Sequence, residues 1–307
     1  MIDFINIANY KDLESFSMAT KRLNIITGDN NSGSSYLLEC LINYEMKVFH
    51  QRPITEFEIE LYSEKITEEN PLLDYNLFKV VCENRFHNNN VNELLYLDDN
   101  LKNEVELFIQ KIFPNIILYL ELEEEFGATL SFFEKQKEGE YQSNLHIIYE
   151  IIPVITALLS SKEDNIVLIK YPEMYLSPKE QSLIGNLIAK TASKGTQLFI
   201  ETHSDHIINS IRVAVKEKVI DNKEVAIVHF NRVEEDIDSL KIRIDKYGEL
   251  SNYPDGFLDE WGNQLMKLLD RRPVINHNPI EIDEDGRIEN FPDGFLDEFN
   301  NNLIKLL

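Results

Sequence analysis

The sequence predicts an α/β fold: a mixed, largely parallel sheet with helices on both faces. Three observations carry that expectation. Through residues 145–231, short runs rich in Ile, Leu and Val alternate with longer amphipathic stretches. Parallel strands buried on both faces read as such continuous apolar runs, and the crossovers between them are helices. Near the start, a glycine-bounded loop, Gly28–Ser35, stands between an apolar run and a helix-forming one. Finally, 307 residues with 43% hydrophobic content are enough to bury a sizeable core.

The elements follow in order. Ile2–Ile7 and Leu23–Thr27 read as strands, and a helix runs from Tyr36. The segment of about 50–140 is mixed and unassigned as a whole, although Tyr75–Cys82 and Ile116–Glu123 read as strands and Leu101–Phe113 as a helix. His87–Asn90 reads as a loop, and the acidic run Glu121–Glu125 as an exposed strand end. Beyond it come a helix at Leu145–Leu159, a strand at Ile166–Ile169, a helix at Lys179–Lys194 and a strand at Gln197–Glu201. A helix at His206–Lys216 and a strand at Val225–Asn231 complete the series. The chain therefore divides into one unit over 1–243 and a tail over 244–307.

The tail contains a repeat. Residues 244–269 and 282–307 align without gaps, with 16 of 26 positions identical, and both carry Pro-Asp-Gly-Phe-Leu-Asp-Glu. Each copy reads as an extended piece, a turn at Gly248 or Gly286, a tight Pro-Asp-Gly turn and a short amphipathic helix. Asp259 and Asp297 fall where a carboxylate satisfies the free N–H groups of a helix start. Phe257, Leu258 and Trp261 are mirrored by Phe295, Leu296 and Phe299, and each apolar stripe must be covered by something. Either the tail is a duplicated packing element, or one copy docks on its own domain and the other on a partner.

Charge excludes one class of function. With 54 acids against 30 bases, the net charge is −24. Nucleic-acid binding rests on neutralising phosphates with a basic surface. The pairs Lys21-Arg22 and Arg271-Arg272 are too isolated to supply one, so the balance argues for a protein partner, a basic one by complementarity. No run reaches the roughly 18 apolar residues of a membrane helix, and the opening residues are strand-like with no basic leader or cleavable signal. Cys40 and Cys82 give neither metal spacing nor a disulfide framework, which fits reduced thiols in the cytoplasm. No metal site and no hydrolytic triad is expected; Ser204 and Asp205 beside His203 are chain neighbours rather than a constellation.

Three stretches carry chemistry. Gly28-Asp29-Asn30-Asn31-Ser32-Gly33-Ser34-Ser35 has the strand–loop–helix context of a phosphate-binding loop, but Ser34 stands where the pattern requires lysine. Asp29 adds a negative charge inside the loop. The strand Ile166–Ile169 leads into Lys170-Tyr171-Pro172-Glu173, where a hydrolysing enzyme needs one acid for magnesium and another to polarise water. Lysine repels that metal. The third stretch, Glu201-Thr202-His203-Ser204-Asp205-His206, ends a strand with a histidine positioned either as a γ-phosphate sensor or as a polar residue packed at a strand end.

Together these stretches resemble the ABC-type ATPase heads of RecF, SMC and OLD-like proteins. They look most like a bacterial branch of AAA-like ATPases with a short C-terminal domain of unknown function, here present twice. The resemblance covers about 1–48 and 140–307 and implies a P-loop NTPase-like fold. Such ATPases usually dimerise head to tail, with a Gly/Ser-rich signature of one head capping ATP on the other. They often serve phage defence or DNA repair beside a nuclease or other effector. Ser143–Glu150, where the signature belongs, lacks glycine.

These departures point to a pseudo-ATPase without catalytic residues or cofactor. Its degenerate site would comprise Gly28, Asp29, Asn31, Gly33, Ser34, Ser35, Lys170, Tyr171, Glu173 and His203. The expected partner is an active ATPase, a nuclease or a toxin effector, in a homo- or hetero-oligomer. The alternative is a divergent ATPase with weak nucleotide binding or slow hydrolysis, in which Lys170 substitutes for the missing loop lysine. Lys170 is expected to pair with Asp29 or Glu201, because an unpaired buried ammonium is costly.

Overall fold

The computed structural model describes residues 1–29, 31–50, 58–62, 78–82, 85–86, 91–123, 127–134, 146–234, 236–254 and 256–269. The second tail copy, His87–Asn90, Ser143–Leu145 and Arg271-Arg272 lie outside them. The main sheet is built from β3 (Leu23–Gly28), β5 (Phe78–Cys82), β6 (Arg85–Phe86), β9 (Ile166–Lys170), β10 (Gln197–Glu201), β11 (Val225–Val233) and β12 (Asp236–Ile242). Its order is β12-β11-β3-β10-β9-β5-β6. The five inner strands are parallel, and β12 and β6 close the edges antiparallel. This is the mixed sheet flanked by helices that the apolar runs predict.

Side-chain alternation divides the core in two. Ile26, Leu168 and Phe199 face one side, where they pack with Phe230 and with Leu37, Leu38 and Leu41 of α1 (Ser34–His50). Ile25, Val167, Ile169, Leu198 and Ile200 face the other. There α4 (His146–Leu159), α5 (Pro178–Ser193) and α6 (Asp205–Lys216) cover the sheet. Every residue of β3 and of β10 is buried.

Local chemistry fixes the helix starts. Pro178 opens α5, where its missing N–H costs nothing, and the Ser177 N–H donates to Glu180 Oε2 at 2.7 Å. The hydroxyl of Ser204 accepts from the Ile207 N–H at 3.1 Å to cap α6. In the hard-to-read middle, α2 (Val91–Leu97) and α3 (Asp99–Ile109) pack with a hairpin of β7 (Ile116–Glu123) and β8 (Gly127–Glu134) against the α4 side of the core.

A second small sheet, β1 (Phe4–Tyr10), β2 (Leu13–Ala19) and β4 (Glu58–Tyr62), lies over the α1 face. The first strand thus begins at Phe4 rather than Ile2. Gln197 explains the shift. Its buried amide accepts from the Ile2 N–H at 2.7 Å and donates to the Ile2 carbonyl at 2.7 Å, with further donation to Thr20 Oγ1 and the Lys21 carbonyl at 3.1 Å each. Ile2 therefore bonds to β10's first side chain instead of to a neighbouring strand.

The first tail copy closes the described chain. Ile244 bridges Leu250 around the Gly248 turn, and α7 (Glu260–Leu269) follows the Pro254–Phe257 turn. Phe257 is 1% exposed inside the head's own core, so this candidate partner-binding side chain is corrected to an internal packing residue. Leu258 is partly buried against the same core. Trp261 is half-buried, while Leu265, Met266 and Leu268 of α7 are exposed. Asp259 also differs from expectation. Its carboxylate accepts from the Gly256 N–H at 2.9 Å, closing the turn behind it rather than capping the helix ahead. No helix among the described residues is long and apolar enough to cross a membrane.

Gln197→Ala is expected to lower the unfolding free energy by about 1–3 kcal/mol in urea titration, because it orphans the buried Ile2 N–H, while the Ile2 carbonyl keeps its bond from Thr20 Oγ1.

Candidate functional site

The loop after β3 owes its shape to steric limits at two glycines. A Cβ on Gly28 would stand 2.3 Å from Ser32 Oγ and 2.4 Å from the Phe230 carbonyl oxygen. Gly33 has φ +87° and its Cβ would meet Ile237 at 2.6 Å. The Ser32 N–H bonds to the Asp29 carbonyl at 3.0 Å, and α1 begins at Ser34 with its N-terminus facing a cavity of about 740 Å³. Ser34, Ser35, Asp29, Asn31, Tyr171 and His203 line it, together with Asp12, Glu39 and Arg232. Arg232 donates to the Asn31 carbonyl at 2.9 Å and to Asp12 Oδ2 at 2.7 Å.

Glu201 organises the floor. It ends β10, between β3 and β9, in register with Ile26 on one side and Lys170 on the other. Its side chain has no exposed surface. Oε1 accepts from Ser35 Oγ at 2.6 Å, Tyr171 OH at 3.1 Å and Ser34 Oγ at 3.3 Å. Lys170 Nζ stands 3.8 Å from Oε2. Of the two expected partners of Lys170, the structure selects Glu201. Asp29 instead lies exposed beside Gly256, whose Cβ would be 3.2 Å from its Oδ1.

Tyr171 is bent into this arrangement. It holds φ +54°, donates its N–H to the Glu201 carbonyl at 2.8 Å, and stacks its ring on His203 at 5.1 Å between centroids. Burial pushes the phenol up to about 12, and the Glu201 carboxylate pushes the same way, so the hydroxyl stays protonated and donating. Glu173 does not face a reacting group. Its Oε1 accepts from the His203 N–H at 2.7 Å and its Oε2 from Thr202 Oγ1 at 2.8 Å, which ties the β9 loop to the β10 loop. Burial raises its pKa, partly offset by these bonds. His203 thus sits at the cavity, stacked on Tyr171 and held by Glu173 through its backbone.

A second cavity of about 710 Å³ shares Asp29 and His203 with the first and is lined by Glu173, Asp205, His206 and the tail residues Gly256 and Phe257. Burial, then the neighbouring Asp259 carboxylate, raises the Asp205 pKa; burial lowers that of His206.

The ten site residues named from the sequence come together within these elements, although Glu173 lines only the second cavity and Lys170 adjoins the first through Glu201 and the Tyr171 ring, 5.2 Å from its ammonium. The motifs point to Lys170 and its partner but give no sign of Arg232, Asp12 or Glu39, which approach from distant strands and a helix face. A loop of this pattern cradles a magnesium–triphosphate, and two groups present fit it poorly. Ser34 brings a hydroxyl where a cation is needed and an ammonium ends β9, while Ser35 donates to Glu201 and keeps its oxygen lone pairs. Among the described residues lining the first cavity, Arg232 faces three acids.

Comparisons with known proteins agree on the architecture. Residues 150–209 match the family described as "AAA domain, putative AbiEii toxin, Type IV TA system". Residues 220–268 and 270–306 match a family described as "Protein of unknown function (DUF3696)". No curated protein matches the chain in sequence. Among solved structures, an Smc head bound to the C-winged helix domain of ScpA is similar with TM-score 0.53 and 9% identity, over 80% of this chain and 98% of that one. An Smc head with an extended coiled coil, bound to the C-terminal domain of ScpA from Pyrococcus furiosus, gives 0.51 and 8% over 87% and 99%.

Two outcomes are expected. Lys170→Met, which leaves the Glu201 carboxylate buried without its cation, lowers stability by about 2–4 kcal/mol in urea unfolding, and adding Glu201→Gln recovers at least half. For Asp205, the folded pKa lies above the unfolded one, so the unfolded chain loses its proton first and wild-type stability falls as pH rises through that window. Asp205→Asn removes this loss. Its stability relative to wild type therefore improves from pH 4 to pH 7, measured by urea titration at both.

Proposed function

We propose that this chain, whose fold is that of P-loop ATPase heads of the RecF/SMC/ABC type, is a catalytically inactive member of that architecture, working as a structural or regulatory protein-binding subunit. One observation carries this reading: the Glu201 carboxylate takes the hydroxyls of Ser34, Ser35 and Tyr171 on one oxygen and the Lys170 ammonium beside the other. Phosphoryl transfer depends on positive charge around the phosphates and on acids that hold the metal. Here the only ammonium of the cluster faces Glu201, and the loop position that calls for a cation carries the Ser34 hydroxyl.

The net charge of −24 favours a protein partner with a basic surface over nucleic acid. The partner is an active ATPase, a nuclease or a toxin effector in a bacterial phage-defence setting. The toxin–antitoxin description of the AAA match supports that setting, as the bound ScpA domains of the Smc heads support protein docking on this fold.

A second reading, retained nucleotide binding, is favoured by Arg232 and by the α1 N-terminus, both facing the first cavity. The version in which Lys170 replaces the loop lysine is less favoured, because Lys170 is held by Glu201.

Calorimetric titration with magnesium-ATP is expected to give a dissociation constant weaker than about 1 mM. Phosphate release is expected below about 0.001 s⁻¹, far under ordinary enzyme rates. Micromolar binding abolished by Arg232→Ala would establish the second reading instead.

A further inference from the structure

The first tail copy is held on the head by specific contacts. The Gly248 carbonyl accepts from Arg212 Nε at 2.8 Å, and Arg212 Nη2 lies 3.3 Å from Tyr253 OH. Phe257 meets the ring of buried His229 edge-on at 5.3 Å. Gly256 has φ +82° and brings a bare Cα against Asp29, where a side chain would press on the carboxylate. Asp259 then closes the turn onto the Gly256 N–H. Arg212, His229 and Asp29 thus form a seat for one turn of chain.

Four of the five seated tail residues recur in the second copy as Gly286, Gly294, Phe295 and Asp297. Tyr253 becomes Phe291, which keeps the ring and loses one weak contact. Among the described residues the head offers one such seat, and the sequence carries two inserts for it. We propose that residues 282–307 are an alternative occupant of this seat and exchange with residues 244–269 of the same chain.

Reach and concentration both favour the same chain over a neighbouring molecule. The 22 residues between Leu269 and Pro292 span up to about 70 Å when extended. Tethering on that scale gives an effective concentration near millimolar, above that of a second molecule at micromolar protein. When the second copy is seated, Phe257 and the Trp261 face of α7 are released from the flank of the loop. The released face is then available for docking, whatever the head does with nucleotide.

A double-mutant cycle on the full-length chain tests this, with Phe257→Ala, Phe295→Ala and both, followed by thermal unfolding. With exchange, Phe295→Ala alone shifts Tm by less than about 2 °C, because the first copy stays seated. Phe257→Ala is partly rescued by the second copy. The double variant then falls at least about 5 °C beyond the sum of the single shifts. Additive shifts would overturn the proposal, as would a Phe257→Ala chain that fails to fold, since the second copy would not be filling the seat. Light scattering of Phe257→Ala should show the wild-type mass at all concentrations; a concentration-dependent increase would overturn the same-chain assignment.

Discussion

The head depends on a single buried carboxylate. Glu201 sits at the end of the strand wedged between the loop strand and β9, so anything that bridges those two strands must deal with it. A fully buried carboxylate is tolerated only when its oxygens are satisfied. Three hydroxyls satisfy Oε1, while Oε2 has no hydrogen bond among the described residues and is balanced only by the Lys170 ammonium at 3.8 Å; those four groups come from the loop, from the start of α1 and from the end of β9. The same contacts that make Glu201 tolerable draw the loop and β9 together. The cluster is thus the structural joint between the loop and β9.

Much of this was legible in the sequence because central parallel strands leave a strong signal. Ile116–Glu123 and Gln197–Glu201 match the expected bounds residue for residue, the expected β9 and α6 differ by one residue at one boundary, and α5 is shifted by one residue at both. Weakly patterned strands escaped. β12 carries Asp, Ser and Lys on an edge where only one face is covered, and β2 interrupts its alternation with Glu14 and Ser15. Neither gives a continuous apolar run. The site shows the same division. The loop, Lys170, Tyr171 and His203 are sequence-local to motifs and were visible. Arg232 was not, because its approach to Asn31 exists only once β11 is laid beside β3.

The tail illustrates how a repeat can be read correctly while its burial is misassigned. An apolar stripe signals that something must cover it, without naming what. For Phe257 the cover is the head itself, beneath His229, whereas Leu265 and Leu268 one and two turns further on remain at the surface. Phe257 is thus a plug, and the helix behind it a separate surface with its own requirement.

The pairing of Lys170 with Glu201 also bears on how such a head changes over time. A lysine placed at Ser34 alone would remove one of the three hydroxyls and arrive beside a carboxylate still shared by Ser35 and Tyr171 and faced by one ammonium. An acid placed at 170 alone would set two carboxylates together in the dry interior. On the proposed reading, either single change toward phosphate chemistry would pass first through a less stable protein, so the two positions would act as a ratchet that turns only when both change together.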